Sequence, residues 1–402
     1  MTQWSDRTTS ERVKLLRGDN ITQEGLAELS GLSIGVIRKL EQGGNVSLPS
    51  LLRIASSLGT DVSVLVGQQA PRRGMALGER AALRAVSEAV HSSAMGDVRD
   101  TEPGPIDGLK VSAREADAAF WSGEYIELGA ILSKLLPEAR ALRDASTGGA
   151  REEAAHVLAD AYQTSATMAN ILGARDLGYA AIAYGRQVAQ LTGDDLRDAH
   201  LAASLAWIYV RDGHTERGFE TAERAAAAVE PRMSDKDPDR LSVYGQLVTN
   251  AAVAASRGGA SNETAKDYLS QAHAVAARIG REHARGSQGQ PFGPSYAATQ
   301  ALSVALALGE TGHALQLIDS TVLDPKMPLS TRARWKLDVA LIRTETRQWD
   351  SAAGELQDVC DMAPAWVRHQ ALPGVIVGRL ADVSVAKFRK VAAAAGVSIN
   401  VR

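Results

Sequence analysis

The sequence predicts an all-α protein in which a cluster of short helices precedes a long stack of paired helices. Three observations carry this expectation. The 402 residues are 45% hydrophobic but only 4% aromatic, and the chain is crowded with Ala, the best helix former and one that lets helices approach closely. Apolar–polar alternation almost nowhere lasts long enough for a sheet. A helix, a short turn and a second helix also recur at intervals of 38 to 50 residues, as in an α-solenoid. Gly123-Glu124-Tyr125, Gly173, Gly213, Gly309 and Arg347-Gln348-Trp349 each mark such a turn, and another is expected near Gly258-Gly259. An irregular helical bundle is the plainer alternative.

The length suggests two or three domains. Residues 1–66 carry short amphipathic helices separated by Gly and Asn. Residues 67–108 read as a linker: breaker-rich patches at Gly67–Gly74 and Asp100–Pro105 flank one helix expected over Glu79 to Val90. Residues 109–402 hold the paired helices. Asp194-Asp195 suits a helix start, where carboxylates are favoured.

Composition narrows the function classes. A single cysteine, Cys360, excludes a disulfide scaffold and a cysteine-based zinc site. No apolar run reaches the roughly 18 residues of a membrane span, and the first residues lack the apolar core of a signal peptide, so a cytoplasmic setting without membrane partners is expected. The formal net charge is -3. The first 80 residues carry ten Lys and Arg against eight Asp and Glu, the rest 34 against 39, so the front end is the better suited to a polyanion.

Residues 21–43 are the most informative. Thr22 can cap a helix running to about Ser30, with Leu26 and Leu29 on its inner face and Ala27 where a second helix must cross closely. Gly31 supplies a turn. Ser33 can cap the next helix, with Ile37 and Leu40 inward and Glu41 and Gly43 at its end. Two short helices joined by a Gly turn make a helix-turn-helix, whose second helix presents its early residues to base edges in the major groove.

This stretch resembles the phage-repressor-like (XRE) helix-turn-helix family, and the resemblance continues through Asn45 to Val66 as the closing helices of a five-helix domain. It implies double-stranded DNA as partner. Gln23 then matches the position that touches the DNA backbone, and Ser33, Ile34, Gly35 and Lys39 match those that face bases, with Arg38 beside them. Lys39 suits guanine and Ile34 a thymine methyl. The chain departs from the family at Gly25, at Gly35 inside the recognition helix, and at Leu16, which stands in place of a basic partner for Glu41. A domain with so little positive charge binds DNA weakly alone, because phosphate neutralisation supplies much of the affinity. Two copies on a two-fold site repair that, so a homodimer is expected. Arg72, Arg73, Arg80 and Arg84 are either extra phosphate contacts or solvated charge.

The second half resembles degenerate tetratricopeptide (TPR) repeats, best seen in Leu205-Ala206, Tyr209, Gly213, Gly218, Ala222, Ala225 and Pro231, and in Ala340, Trp349, Ala352, Leu356 and Pro364. The resemblance implies a groove lined by inner helices. Its phase places Gln163, Thr167 and Asn170 there as a polar stripe, followed by Gln246 and Asn250, with Trp207, Tyr296 and Gln300 from neighbouring helices. Asn and Gln can donate to and accept from an extended peptide backbone; a solvated helix face, or core for Trp207, is the plain alternative. The whole arrangement resembles the peptide-pheromone-responsive (RRNPP) regulators, which implies a transcription regulator sensing a peptide or protein ligand. An adaptor whose helical stack recruits a protein, with DNA binding secondary, and a regulator responding to a small apolar molecule in the groove, stay open.

No enzyme is expected and no cofactor or metal is called for. The eight histidines are scattered, no phosphate-binding loop is present, and Cys360 reads as a structural thiol. Gly286 to Pro294 lacks the Lys and Ser or Thr of a phosphate cradle and reads as a loop between repeats or a lid.

Overall fold

The computed structural model describes residues 7–18, 21–67, 76–98, 101–285, 291–380 and 391–397. Asp100, Arg72, Arg73 and the Gly-rich segment 286–290 lie outside them. The described residues are helical throughout apart from turns and an isolated bridge between His283 and Phe292.

Five short helices form the N-terminal domain: α1 (Thr9–Arg17), α2 (Gln23–Ser30), α3 (Ile34–Glu41), α4 (Leu48–Ser57) and α5 (Val62–Leu65). Their starts are set by local chemistry. Thr8 and Glu11 close a capping box on α1, and the side chains of Thr22, Ser47 and Asp61 accept backbone N–H groups that begin α2, α4 and α5. Gly31, at φ 60° and ψ 29°, makes the left-handed turn between α2 and α3. Val13, Leu26, Ile37, Ile54 and Leu65 are fully buried between the helices. Leu29 is not part of that face: it is 61% exposed. Arg12 is buried and donates to the Leu65 carbonyl at 3.1 Å, tying α1 to α5.

The linker helix is longer than the sequence suggests. It is α6 (Leu77–Met95), and it is built into the stack rather than standing free. Ala82, Leu83, Val86, Ala89 and Val90 are buried in a core shared with the helix over residues 125–145. A Cβ on Gly129 there would lie 2.6 Å from the Ala82 Cβ, so the two helices touch nearly backbone to backbone.

Then come the pairs α7 (Ile106–Ser122) with α8 (Tyr125–Ala145), α9 (Gly148–Ile171) with α10 (Arg175–Thr192), and α11 (Asp195–Arg211) with α12 (Thr215–Val229). They are followed by α13 (Pro238–Ala254), a π-type turn (Ala255–Gly259) and α14 (Asn262–Ile279), and by α15 (Pro294–Leu308) with α16 (Thr311–Ser320). The last pair is α17 (Leu329–Glu345) with α18 (Trp349–Met362), closed by α19 (Pro364–Val367) and α20 (Leu372–Leu380). The turns inside the pairs fall at Gly123, Gly173, Gly213, Gly258, Gly309 and Arg347, all with positive φ. Asp194 caps α11 by accepting from the Arg197 N–H. Close crossings need small residues: a Cβ on Gly218 would lie 2.8 Å from a Val210 methyl and 3.0 Å from the Ala206 carbonyl.

The stack closes on itself. Gly123, at the first turn, lies so near the last helices that a Cβ there would sit 2.8 Å from the Trp366 backbone. The Tyr125 and His369 rings meet edge to face at 5.0 Å, and His369 Nε2 lies 3.3 Å from Glu79. The N-terminal domain packs on the edge of this ring through α4 and the turns on either side of it. Leu48, Leu51 and Ile54 share one core with Leu302, Leu306 and Leu337. Ser56 Oγ donates to the Gly213 carbonyl, Asn45 Nδ2 to the Gly378 carbonyl and Arg379 to the Val46 carbonyl.

Candidate nucleic-acid interface and central cavity

With α4 turned toward the ring, α3 faces out. Ser33, Gly35, Arg38 and Lys39 are exposed, while Ile34 is half-buried against the domain core. Five of the six residues expected at DNA thus lie on α3 or its N-cap. Ser33 occupies the N-cap with extended backbone, but its hydroxyl makes no capping hydrogen bond. Gly35 has open space around it: a Cβ would meet nothing nearer than Ser33 Oγ at 3.8 Å. The fold therefore tolerates a side chain at this position. Arg38 is 55% exposed and reaches Glu24, itself 66% exposed, at 3.2 Å. An ion pair this exposed is worth little and yields readily to a phosphate.

Gln23, expected at the DNA backbone, is half-buried at the start of α2. Its Nε2 donates to Glu41 at 2.7 Å, so one amide hydrogen is already committed. The other oxygen of Glu41 accepts from Arg17 Nε at 2.7 Å. Arg17, not the residue at Leu16, is the basic partner; Leu16 instead packs against the core. Burial alone would raise the Glu41 carboxyl, but the hydrogen bonds from Arg17 and Gln23 outweigh it and hold the group below its ordinary range. A carboxylate at the end of α3 thereby fixes α1 and α2 to the recognition helix. Arg80 and Arg84 are exposed on α6.

Inside the ring lies a cavity of about 230 Å³, walled by α7, α9, α11, α13, α15 and α17. Gln163, Thr167, Trp207, Gln246, Asn250, Tyr296 and Gln300 all line it. Asn170 does not: it is 4% exposed and lies at the crossing of α9 with α10, where Gly178 approaches its backbone. Two of the amides also hold neighbouring inner helices together, since Gln163 donates to Ser204 Oγ and Asn250 to the Ala203 carbonyl, each at 2.8 Å.

Sequence reasoning missed other parts of the wall. Trp121 and Tyr125 flank the Gly123 turn, and Arg211 stands one helical turn after Trp207; the helix phase that found Trp207 would have found them. Trp366 and Gln370 had no local signal, because ring closure brings them in. His200 is buried in the wall and is pulled down to about 4, first by burial and then by Arg285, so it is neutral near pH 7.

Chemistry outside these two places is sparse. Cys360 is buried in α18, and burial pushes its thiol up to about 11, away from the reactive thiolate. Among the described residues, no cluster of His, Cys, Asp or Glu could hold a metal ion, and no helix is long and apolar enough to cross a membrane.

No curated protein and no solved structure matches the chain. Residues 14–65, spanning most of α1 through α5, match the family model described as Helix-turn-helix. That match makes this segment a helix-turn-helix domain and, with the outward-facing α3, supports DNA binding by it.

Proposed function

We propose that the protein is a sequence-specific DNA-binding transcription regulator whose helical ring, TPR-like in its pairing, senses a ligand in the central cavity. The observation that carries it is the division of labour within the N-terminal domain. Its α4 side is cemented to the ring while its α3 side is open, so whatever changes the ring changes the placement of α3. Gln23, Ser33, Ile34, Gly35, Arg38 and Lys39 form the DNA face, and a homodimer places two such faces on a two-fold site. The cavity wall mixes amides, hydroxyls and aromatic rings, which favours a polar ligand such as a short peptide over a purely apolar molecule.

The test starts from genomic DNA captured on the full-length protein and sequenced, followed by binding titrations on the recovered duplex at several salt concentrations. Replacing Arg38 and Lys39 with Ala should abolish specific binding, and each lost phosphate contact should flatten the log–log salt slope by roughly 0.9. Unchanged binding in that variant would refute the assignment, and sedimentation of the complex reads the stoichiometry.

A further inference from the structure

The cavity has an electrostatic sign at one end. Arg211 closes α11 and lines the cavity, and its guanidinium makes no hydrogen bond or ion pair with a described side chain or backbone group. Tyr125 faces the same space. It is 2% exposed, and its hydroxyl has no hydrogen-bond partner. Arg211 is the cation whose charge acts on that hydroxyl, with Glu79 opposing it more weakly. Burial holds Tyr125 protonated, so it is a donor there. Two more arginines stand close by. Arg334 lines the cavity but is committed to Asp338 and Ser303, and Arg257 lies over the Trp207 ring. Among the described lining residues the acidic one is Asp117, which accepts from Trp121 Nε1 on α7.

A guanidinium has five donors and no acceptor, and a buried hydroxyl left unpaired is costly. A ligand group that only accepts, and that carries negative charge, satisfies both. We infer that the cavity takes a ligand bearing a carboxylate or similar anionic group, held between Arg211 and Tyr125, with its aromatic or aliphatic body against Trp121 and Trp207; this rests on the cavity being the sensing site. The position has a consequence for signalling. Gly213, two residues after Arg211, accepts Ser56 of the DNA-binding domain, and a Cβ on Gly213 would lie 2.8 Å from the Thr60 carbonyl oxygen. An anion drawing on Arg211 therefore acts beside the joint that seats α4 and the turn after it.

Two fluorescent probes with the same aromatic body separate charge from apolar fit: 8-anilinonaphthalene-1-sulfonate and the neutral N-phenyl-1-naphthylamine. On the full-length protein the sulfonate should bind once per chain and at least about tenfold more tightly than the neutral probe. Arg211→Gln should erase that advantage, Arg211→Lys should restore part of it, and Tyr125→Phe should weaken the sulfonate alone. Equal affinity of the two probes, or a sulfonate affinity untouched by Arg211→Gln in a folded variant, overturns the inference. Ser204→Trp fills the cavity and reads the underlying assignment separately. If it blocks both probes while Arg211→Gln changes neither, the cavity is a ligand site without anion selectivity. If it blocks neither, the sensing role of the cavity falls as well. Tetrapeptides as free acids and as C-terminal amides, run beside indole-3-acetate, identify the source of the anion. Binding of the free acids alone assigns a peptide terminus, and binding of indole-3-acetate alone assigns a small aromatic acid. Amides that bind as well as acids count against the inference.

Discussion

The Arg257 guanidinium lies 5.7 Å from the centroid of the Trp207 ring, within cation–π range. Trp207 faces the cavity, whereas Arg257 belongs to the π-type turn after α13, which packs against α4. Burial, with Arg334 next, pulls the Arg257 guanidinium down to about 10, while Asp61, the N-cap of α5, pulls it up. One side chain thus senses both the cavity wall and the DNA-binding domain. Arg257→Ala should loosen the joint at α4 without melting the ring. Hydrogen exchange should quicken at Ser56 to Leu65 and stay unchanged across α9. Uniform loss of protection would instead make Arg257 a general packing residue.

Gly123 joins the two ends of the ring. It has φ 83° and its missing Cβ is replaced by the Trp366 backbone at 2.8 Å. Gly123→Ala combines left-handed strain with overpacking against a backbone that cannot move aside, together about 2–4 kcal/mol. The melting temperature should fall and small-angle scattering should show a larger radius as the ring opens. Gly149→Ala, where a Cβ meets nothing, is the control and should do neither.

Gly35 separates the needs of the fold from those of DNA. Since a Cβ there meets open space, Gly35→Ala should stabilise α3 by up to about 1 kcal/mol. If α3 uses the bare backbone to approach bases closely, the same change weakens binding to the selected duplex. A rise in melting temperature with a drop in affinity is the expected pair of results; a rise in both would show that Gly35 is not a contact position.

Glu41 makes the stability of the N-terminal domain pH-dependent. Its carboxyl titrates lower when folded than the 4.5 of a free side chain. Its contribution is therefore complete above that value and is lost as pH falls through the folded value. Glu41→Gln should cost about 2 kcal/mol at neutral pH, since hydrogen bonds to a charged group are lost. The melting curves of variant and parent should converge as the pH drops below the carboxylate range. A gap that persists at low pH would assign the loss to packing.

Much of the architecture was legible because it is written in short-range chemistry. A positive-φ glycine at Gly31, Gly123, Gly173, Gly213 and Gly309 ends a helix wherever it stands, and Thr22 or Asp194 starts one. The outward face of α3 followed from its helical period, as did the row from Gln163 through Thr167. Side chains at helix ends were misplaced. Leu29 is exposed because no neighbour covers the last turn of α2, and Asn170 is buried because α10 folds back over it.

Sequence by itself determined the helices, their turns and the helix-turn-helix, because each depends on residues within a turn or two of one another. Tertiary structure alone decided that α6 joins the stack, that Trp366 meets Gly123, that Arg17 rather than Leu16 answers Glu41, and that α4 and the turn after it seat on the ring. Those contacts pair residues tens to hundreds of positions apart. Their geometry comes from the summed angles of every intervening helix crossing, a quantity no local pattern of residues contains.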